Sequence, residues 1–172
     1  MENDIQNAVA TGNAAAFFRL IRSPLKFRMF LFTKLPSAFF AGVRVKNVDE
    51  HRCVVTVPYK WFSQNPFRST YFACLSMAAE MSTGVLGLGH IHELNPPVSM
   101  LVIKIEGDFL KKAVGVTTFI CEEGDRIKQT IAESIRSGQG QAIRVRSTGM
   151  NKNGEIVAEF FISWSFKVKR QT

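Results

Sequence analysis

The sequence is poor in the residues that build metal centres and disulfide frameworks. It has three cysteines and three histidines, and the cysteines (Cys53, Cys74 and Cys121) are far apart and lie in apolar stretches. Such cysteines show no metal-ligand spacing and are typical of small buried hydrophobes. An odd number of cysteines without a secretory signal favours reduced thiols, so we expect a cytoplasmic protein that needs no metal and no cofactor.

Signatures of membrane-spanning and nucleic-acid-binding proteins are also missing. Residues 13–34 are apolar but contain five Lys and Arg residues, so they resemble neither a transmembrane segment nor a signal peptide. The basic residues of the chain are dispersed and match no helix-turn-helix, zinc-finger or RNA-binding motif, so we expect no nucleic-acid partner. The formal net charge of +8 fits phosphate-bearing ligands or an anionic membrane surface equally well.

Length and composition indicate one globular domain. The chain has 172 residues, of which 46% are hydrophobic and 21% charged. We divide it into an N-terminal helical extension, residues 1–35, and a main domain, residues 36–172. Pro24 splits the extension into two helical pieces, which we expect to cover the core of the domain. Weak contact with a membrane surface is the alternative role for this segment.

Residues 71–88 predict a long helix that is apolar nearly all round and therefore buried. Ser69 or Thr70 is expected to cap its first N–H groups. Glu80 is its only charged residue and lies in a stripe of small side chains. A buried carboxylate must be paired, protonated or placed at the wall of a wet cavity. Glu80 is therefore a candidate functional residue, and a structural ion pair with a basic residue is the alternative.

Patterns typical of strands flank this helix. A hairpin is predicted before it at residues 43–46 and 53–57. The elements predicted after it are strands at 99–110, 114–121, 142–147 and 156–168, and a short helix at 125–137 capped by Asp125. This order predicts an α+β fold in which an antiparallel sheet of six strands wraps around the long helix. Its open edges and surplus apolar side chains favour a homodimer or a dimer of dimers.

Residues 87–93 predict a loop that leaves the long helix. His90 and His92 lie in this loop, and their spacing is not that of a helical metal-binding pair. We expect them to line the exit of the helix and not to bind a metal.

The spacing of Asn65, Tyr71 and Glu80 resembles a motif of the hotdog-fold acyl-CoA thioesterases. That motif has an Asn, two variable residues, Gly-Thr-Val/Ile-His-Gly-Gly, and an acidic residue nine positions after the His. Asn65 matches the Asn, and Glu80 lies nine positions after Tyr71. The resemblance covers residues 36–169 and is strongest to the phenylacetyl-CoA thioesterase-like branch and to functionally uncharacterised bacterial members with an N-terminal helical extension.

This resemblance implies a hotdog fold that hydrolyses an acyl-CoA thioester, with the acyl chain in a slot between two protomers. Glu80 would act as general base or nucleophile, and Asn65 would orient substrate or water. The amides of Phe72 and Ala73 would polarise the thioester carbonyl. These roles agree with the positive end of a helix dipole at the oxyanion and with a partly dry carboxylate as base.

The motif is altered at its centre, where Arg68 replaces a Gly, Tyr71 the His, and Phe72-Ala73 the Gly-Gly. Tyr71 can donate a hydrogen bond, but a tyrosine hydroxyl ordinarily has a pKa of about 10 and cannot replace an imidazole at neutral pH. This argues against acyl dehydration, a reaction of the same fold that pairs a His with an acid. Phe72 narrows the approach of a ligand to the backbone. Arg68 could hold a CoA phosphate, pair with Glu80 or point to solvent. A non-catalytic acyl-chain or fatty-acid binding protein is therefore the alternative function, and a peripheral membrane protein is a third.

Overall fold

The computed structural model describes residues 13–169. Its first elements are the helices α1 (Ala14–Ile21), α2 (Pro24–Lys34) and α3 (Pro36–Ala41), the strands β1 (Arg44–Val48) and β2 (Cys53–Val57), and a 3₁₀ turn (Trp61–Ser63). The long helix α4 (Phe72–Ile91) follows. The chain then forms β3 (Val98–Phe109), β4 (Thr117–Cys121), α5 (Gly124–Ser137), β5 (Gln141–Met150) and β6 (Ile156–Val168).

The strands form one sheet in the order β1-β2-β4-β5-β6-β3. Every neighbouring pair is antiparallel, and β1 and β3 are the two edges. Helix α4 crosses one face of the sheet and contacts each of the six strands. The predicted α+β architecture, a six-stranded antiparallel sheet around one long helix, is confirmed.

Helix α4 is buried because apolar and small residues occur on nearly all its sides. Its buried hydrophobic residues are Cys74, Leu75, Ala78, Ala79, Met81, Val85 and Leu86. By length and composition this helix could cross a membrane, and two thirds of it is instead enclosed by the rest of the protein. The inward-facing side chains of β6 pack against it, with Phe160, Ile162 and Phe166 fully buried.

The predicted C-terminal end of α4 is wrong, because the helix continues to Ile91 and residues 87–91 are not a loop. Glycine weakens a helix in water, but here it permits close packing. The ring of Phe18 in α1 lies so near Gly89 that a Cβ atom there would collide with it. Packing between α1 and α4 thus stabilises helical turns that the glycines alone would disfavour.

The predicted caps of both main helices are also wrong. Tyr71 is the N-cap of α4, and its side chain makes no capping hydrogen bond. The hydroxyl of Thr70 donates instead to the carbonyl of Ala113, at 3.1 Å. Asp125 lies in the first turn of α5, and its carboxylate is 2.9 Å from Nδ1 of His51. In each case the side chain that the local sequence would assign to the cap makes a tertiary contact instead.

Helices α1 and α2 pack on the core as expected, and α2 begins at Pro24. Their buried residues are Phe18, Ile21, Phe27 and Leu31. The first twelve residues of the predicted extension and residues 170–172 lie outside the described part of the chain. The division of the chain after residue 35 stays a prediction.

Candidate active site

Glu80 lies near the middle of α4, half-buried on the side that faces α1, α2, β3 and β6. Within residues 13–169, no side chain donates a hydrogen bond to its carboxylate and no cation lies within ion-pair distance. Desolvation by burial is the one cause acting on this group, and it raises the pKa of Glu80 above 4.5. A carboxylate in this state holds a proton more tightly than one in water.

The carboxylate borders a cavity of about 390 Å³. The walls come from α1, α2, α4, β3 and β6, and they are apolar except for Lys26, Glu80 and His92. Phe17, Leu20, Phe27 and Phe30 form the side contributed by the N-terminal helices. A volume of this size suits an acyl chain or a small apolar ligand. The N-terminal helices therefore enclose the one carboxylate of α4.

Gly84 leaves the space into which the carboxylate reaches. A Cβ atom at this position would lie 3.0 Å from Oε1 of Glu80 and 3.2 Å from the indole of Trp164. The indole is itself held in place, because its Nε1–H donates to the hydroxyl of Thr83 at 2.9 Å. That hydroxyl donates in turn to the carbonyl of Glu80, also at 2.9 Å. One turn of α4 thus holds the indole that lies beside the carboxylate.

We expect Thr83→Val to destabilise the protein by about 1–3 kcal/mol, because it leaves the buried indole N–H of Trp164 without an acceptor. Urea unfolding of the two proteins measures this difference. Trp164→Phe combined with Thr83→Val removes both partners, and this double variant should lose less stability than the sum of the two single variants. Equal stability of Thr83→Val and the wild type would contradict the assigned hydrogen bond.

Asn65 organises the loop before α4. Its Oδ1 accepts hydrogen bonds from the amides of Phe67 at 3.0 Å and Ser69 at 3.2 Å, and from the Ser69 hydroxyl at 3.2 Å. Arg68 lies in this turn with φ of +58° and an exposed side chain. The position at which the thioesterase motif has Gly thus keeps a left-handed backbone that favours glycine. Arg68 does not pair with Glu80, which removes one of its three expected roles.

A second cavity, of about 540 Å³, opens at the amino end of α4. Asn65, Tyr71 and Phe72 line it together with Lys111 and Lys112. The rings of Tyr71 and Phe72 are 4.7 Å apart and largely exposed. The amides of Phe72 and Ala73, the first two of the helix, have no hydrogen-bond acceptor among the described residues, because the N-cap side chain of Tyr71 supplies none.

The candidate site residues fall into two groups. Asn65, Tyr71 and Phe72 share the cavity at the helix start, whereas Glu80 borders the apolar cavity. Eight residues of helix, or about 12 Å of rise, separate Phe72 from Glu80. Ala73 lines neither cavity, but its amide is in the first turn. Sequence reasoning missed Trp164 and the aromatic side chains of α1 and α2, because only packing shows that they face Glu80.

The two histidines after Gly87 have structural partners. His90 is a buried helical residue whose Nε2 lies 3.0 Å from the carbonyl oxygen of Glu50, and burial lowers its pKa. His92 follows the helix and packs against Phe17, with ring centroids 5.2 Å apart. The expected loop position is thus wrong for His90. Over residues 13–169, no three His, Cys, Asp or Glu side chains cluster as metal ligands would.

Comparison with solved structures identifies the fold as the hotdog fold. A protein of unknown function from Pseudomonas aeruginosa, described as a probable thioesterase, superposes with a TM-score of 0.71 at 19% identity, over 85% of this chain and 97% of that one. A thioesterase from Haemophilus influenzae gives 0.64 at 11% identity, over 85% and 91%. The PaaI protein of the Escherichia coli phenylacetic acid degradation operon gives 0.59 at 14% identity, over 89% and 98%.

These identities show the fold and not the reaction. No curated protein matches the sequence. A family model described as a domain of unknown function, DUF4442, matches residues 25–166, from the start of α2 to the end of β6. The chain therefore belongs to the DUF4442 family and has the hotdog fold.

Proposed function

We propose that the protein hydrolyses an acyl thioester, with Glu80 as the general base. The observation that carries the proposal is the desolvated, unpaired carboxylate of Glu80 at the wall of an apolar cavity of about 390 Å³. An acyl chain would fill this cavity and bring its thioester carbon to the carboxylate. The names of the neighbouring structures from Pseudomonas aeruginosa and Haemophilus influenzae point in the same direction.

In the proposed reaction, ionised Glu80 takes a proton from a water molecule while the water oxygen bonds to the thioester carbon. The carbonyl electrons move to oxygen, and the amides of Phe72 and Ala73 would donate to this oxyanion. The intermediate then collapses, the C–S bond breaks, and Glu80 returns its proton to the leaving thiolate.

The proposed thiol carrier is coenzyme A. Lys111 and Lys112 stand at the mouth of the cavity where α4 begins, and both are exposed. The ammonium group of Lys112 would meet a phosphate of a carrier whose acyl end extends toward Glu80. Lys111 would have to exchange its 2.6 Å ion pair with Glu155 for a phosphate to do the same. Asn65 would then keep the loop in shape, through the three hydrogen bonds to its Oδ1, and not act on the reacting atoms.

A panel of short, long and aromatic acyl-CoA esters tests the proposed function. Release of free thiol, followed with a thiol-reactive dye, is expected for at least one class of acyl group. Apolar chains that fit the Glu80 cavity should give the highest kcat/KM. A complete lack of thiol release across the panel would refute the proposal.

The second candidate function is non-catalytic binding of an acyl chain or fatty acid. The bulky Tyr71 and Phe72 at the start of α4 favour it, because they crowd the amides that would hold the oxyanion. Native mass spectrometry of the purified protein would then show a bound lipid, and no acyl-CoA would be cleaved. Bound lipid together with turnover supports the hydrolase.

We also propose a homodimer that forms through the edge strand β3. Leu101, Ile103 and Ile105 are exposed apolar residues of this strand, with exposed fractions of 66%, 53% and 47%. A β-bulge at Ile103 places Leu101 and Ile105 on opposite faces of the sheet, where they pair with Ser165 and Ile162. An unpaired edge with exposed apolar side chains is suited to pairing with a second copy. The proposed location is the cytoplasm, because all three cysteines are free and buried, and burial raises the pKa of Cys121 to about 12.

Ile103→Lys is expected to convert the dimer to a monomer, because it places a charge in the proposed contact. Light scattering after gel filtration measures the mass. Val116→Lys is the matched control, since Val116 is equally exposed, at 50%, in the loop before β4. A monomeric wild type, or a dimer that persists in Ile103→Lys, would rule out this interface.

A further inference from the structure

The positive charge of the protein is concentrated in its first half. Residues 13–79 contain ten Lys and Arg against two Asp and Glu, whereas residues 80–172 contain twelve against ten. The two acids of residues 13–79, Asp49 and Glu50, both lie in the turn between β1 and β2. Helices α1, α2 and α3 contain no acidic residue at all. Residues 13–79 therefore carry a strong excess of positive charge.

Helix α2 is apolar on its outer face as well as on its inner face. Phe27 and Leu31 are buried in the core, while Leu25, Met29 and Phe32, spaced at i, i+4 and i+7, are exposed. A surface helix normally carries polar residues on its outer side. The exposed fractions of 76% for Leu25 and 60% for Met29 show that nothing in the described chain covers this face.

Aromatic rings extend this face across α3 to the 3₁₀ turn. Phe32 packs edge-on against Phe39 and Phe40, with centroids 5.2 and 6.4 Å away. Phe40 stacks on Phe62 at 5.5 Å, and Phe62 contacts Trp61 at 4.7 Å. Trp61 is 76% exposed. We call the exposed set Leu25, Met29, Phe32, Phe40, Trp61 and Phe62 the aromatic surface.

Cations border the aromatic surface. Arg28 lies over the ring of Phe39, with 4.5 Å between its guanidinium carbon and the ring centroid. Lys34 ends α2, and Lys60 precedes Trp61 and lies against Gly42 at the end of α3. Exposed aromatic and aliphatic side chains among Lys and Arg are the features that hold a protein in the interfacial layer of a membrane.

We propose that the aromatic surface docks on an anionic lipid bilayer. Charge complementarity selects this occupant: lipid phosphates would meet the cations while Trp61, Phe62 and Leu25 enter the acyl boundary. A second copy of this chain fits poorly, because it would bring together two segments 13–79, each of net charge +8. The edge strand β3, with the exposed side chains of Leu101, Ile103 and Ile105, is a separate surface.

The docking surface adjoins the mouth of the Glu80 cavity. Leu20, Phe30 and Leu35 line that cavity and are also 42–47% exposed, and Phe30 and Leu35 belong to α2 and its C-cap. On a membrane, this mouth would face the lipid. If the proposed thioesterase function holds, its substrates are long-chain acyl thioesters that partition into the bilayer. This inference about the substrate rests on the proposed function, whereas the docking on a membrane does not.

Vesicle sedimentation of the full chain tests the docking. We expect the protein to bind vesicles of phosphatidylcholine with phosphatidylglycerol, to bind vesicles of phosphatidylcholine alone far more weakly, and to be released by salt. Lys34→Gln with Lys60→Gln should weaken binding roughly 30-fold, since each of the two cations contributes a similar part of the free energy of binding to an anionic surface. Trp61→Ser should weaken it about tenfold through lost apolar burial.

Matched variants keep this test decisive. Lys152→Gln with Lys169→Gln removes the same charge outside the first half, and Ile156→Ser removes an exposed apolar side chain of β6; both should bind as the wild type does. Equal binding to neutral vesicles, or equal losses in the control variants, would overturn the proposal. A change of oligomeric mass in Trp61→Ser would show that the surface joins two copies instead. Thiol release from short, soluble acyl-CoA esters is scored separately, so a failure of either proposal is visible on its own.

Discussion

Glu80→Gln is expected to lower kcat for thioester hydrolysis about 10³-fold, within the range for loss of a general base. Glutamine keeps the shape of the side chain at the wall of the apolar cavity but cannot accept a proton from water. The protein should remain folded, because the carboxylate makes no hydrogen bond or ion pair within residues 13–169 that the amide would lose. Stopped-flow or steady-state thiol release with the best acyl-CoA measures the effect.

The pH dependence follows from the raised pKa of Glu80. The base must be ionised, so kcat/KM should fall as the pH drops through a value above 4.5 and should reach a plateau at higher pH. Stability runs the other way. The folded protein binds the proton of Glu80 more tightly than the unfolded chain, so this group favours folding at low pH, and that contribution is lost as the pH rises through the raised pKa.

Glu80→Gln should therefore raise Tm at neutral pH while it strongly lowers activity. This combination is typical of a catalytic group that is kept at the expense of stability. Glu133→Gln is the matched control, because Glu133 pairs with Arg136 on the surface of α5 and lies in neither cavity. It should leave both kcat and the pH profile unchanged. Full activity of Glu80→Gln would exclude Glu80 as the base and leave acyl-chain binding as the better account.

Gly84→Val is expected to lower kcat/KM for long-chain thioesters about 10²-fold, the usual cost of displacing reacting groups by about 1 Å. A Cβ atom at this position would already lie 3.0 Å from Oε1 of Glu80 and 3.2 Å from Trp164. The two methyl groups of valine would push the carboxylate aside and fill the cavity near it. Kinetics over acyl chains of increasing length measure the loss, which should be smallest for the shortest chain.

Gly115→Val is the matched control for this substitution. A Cβ atom on Gly115 would meet no atom within 4 Å, so valine fits there without displacing a neighbour. Circular dichroism and thermal unfolding of both variants separate a blocked cavity from a disturbed fold. Unchanged kinetics in a folded Gly84→Val would show that the acyl chain lies elsewhere, for example in the predicted slot between protomers.

The local spacing of apolar residues predicted those helices and strands whose stability comes from a periodic apolar face. The long final strand was predicted at residues 156–168, which are its bounds in the structure. Helix α5 is followed by its C-cap Gly138, which has φ of +66°. Predictions failed where a distant residue competes for a side chain or supplies packing. Asp125 binds His51 and does not cap α5, and Gly89 stays helical because Phe18 packs against it.

The candidate site divides in the same way. Sequence alone singled out Glu80, because an isolated charge on an apolar helix must have a physical reason, and the turn at Asn65 and the start of α4 follow from motif spacing. Tertiary structure decided the rest. It showed that Arg68 does not pair with Glu80, that Trp164 is fixed beside it by Thr83, and that α1 and α2 close the cavity.

The physical reason is how far apart in the sequence the residues lie that determine each property. Burial of a helix and the periodicity of a strand depend on residues a few positions apart, so the amino-acid sequence by itself determined the α+β fold, the buried helix and its one carboxylate. The pKa of that carboxylate, the volume of its cavity and the continuity of the aromatic surface depend on side chains that are up to 147 positions apart, from Phe17 to Trp164. Only the packing of the folded chain brings those side chains together.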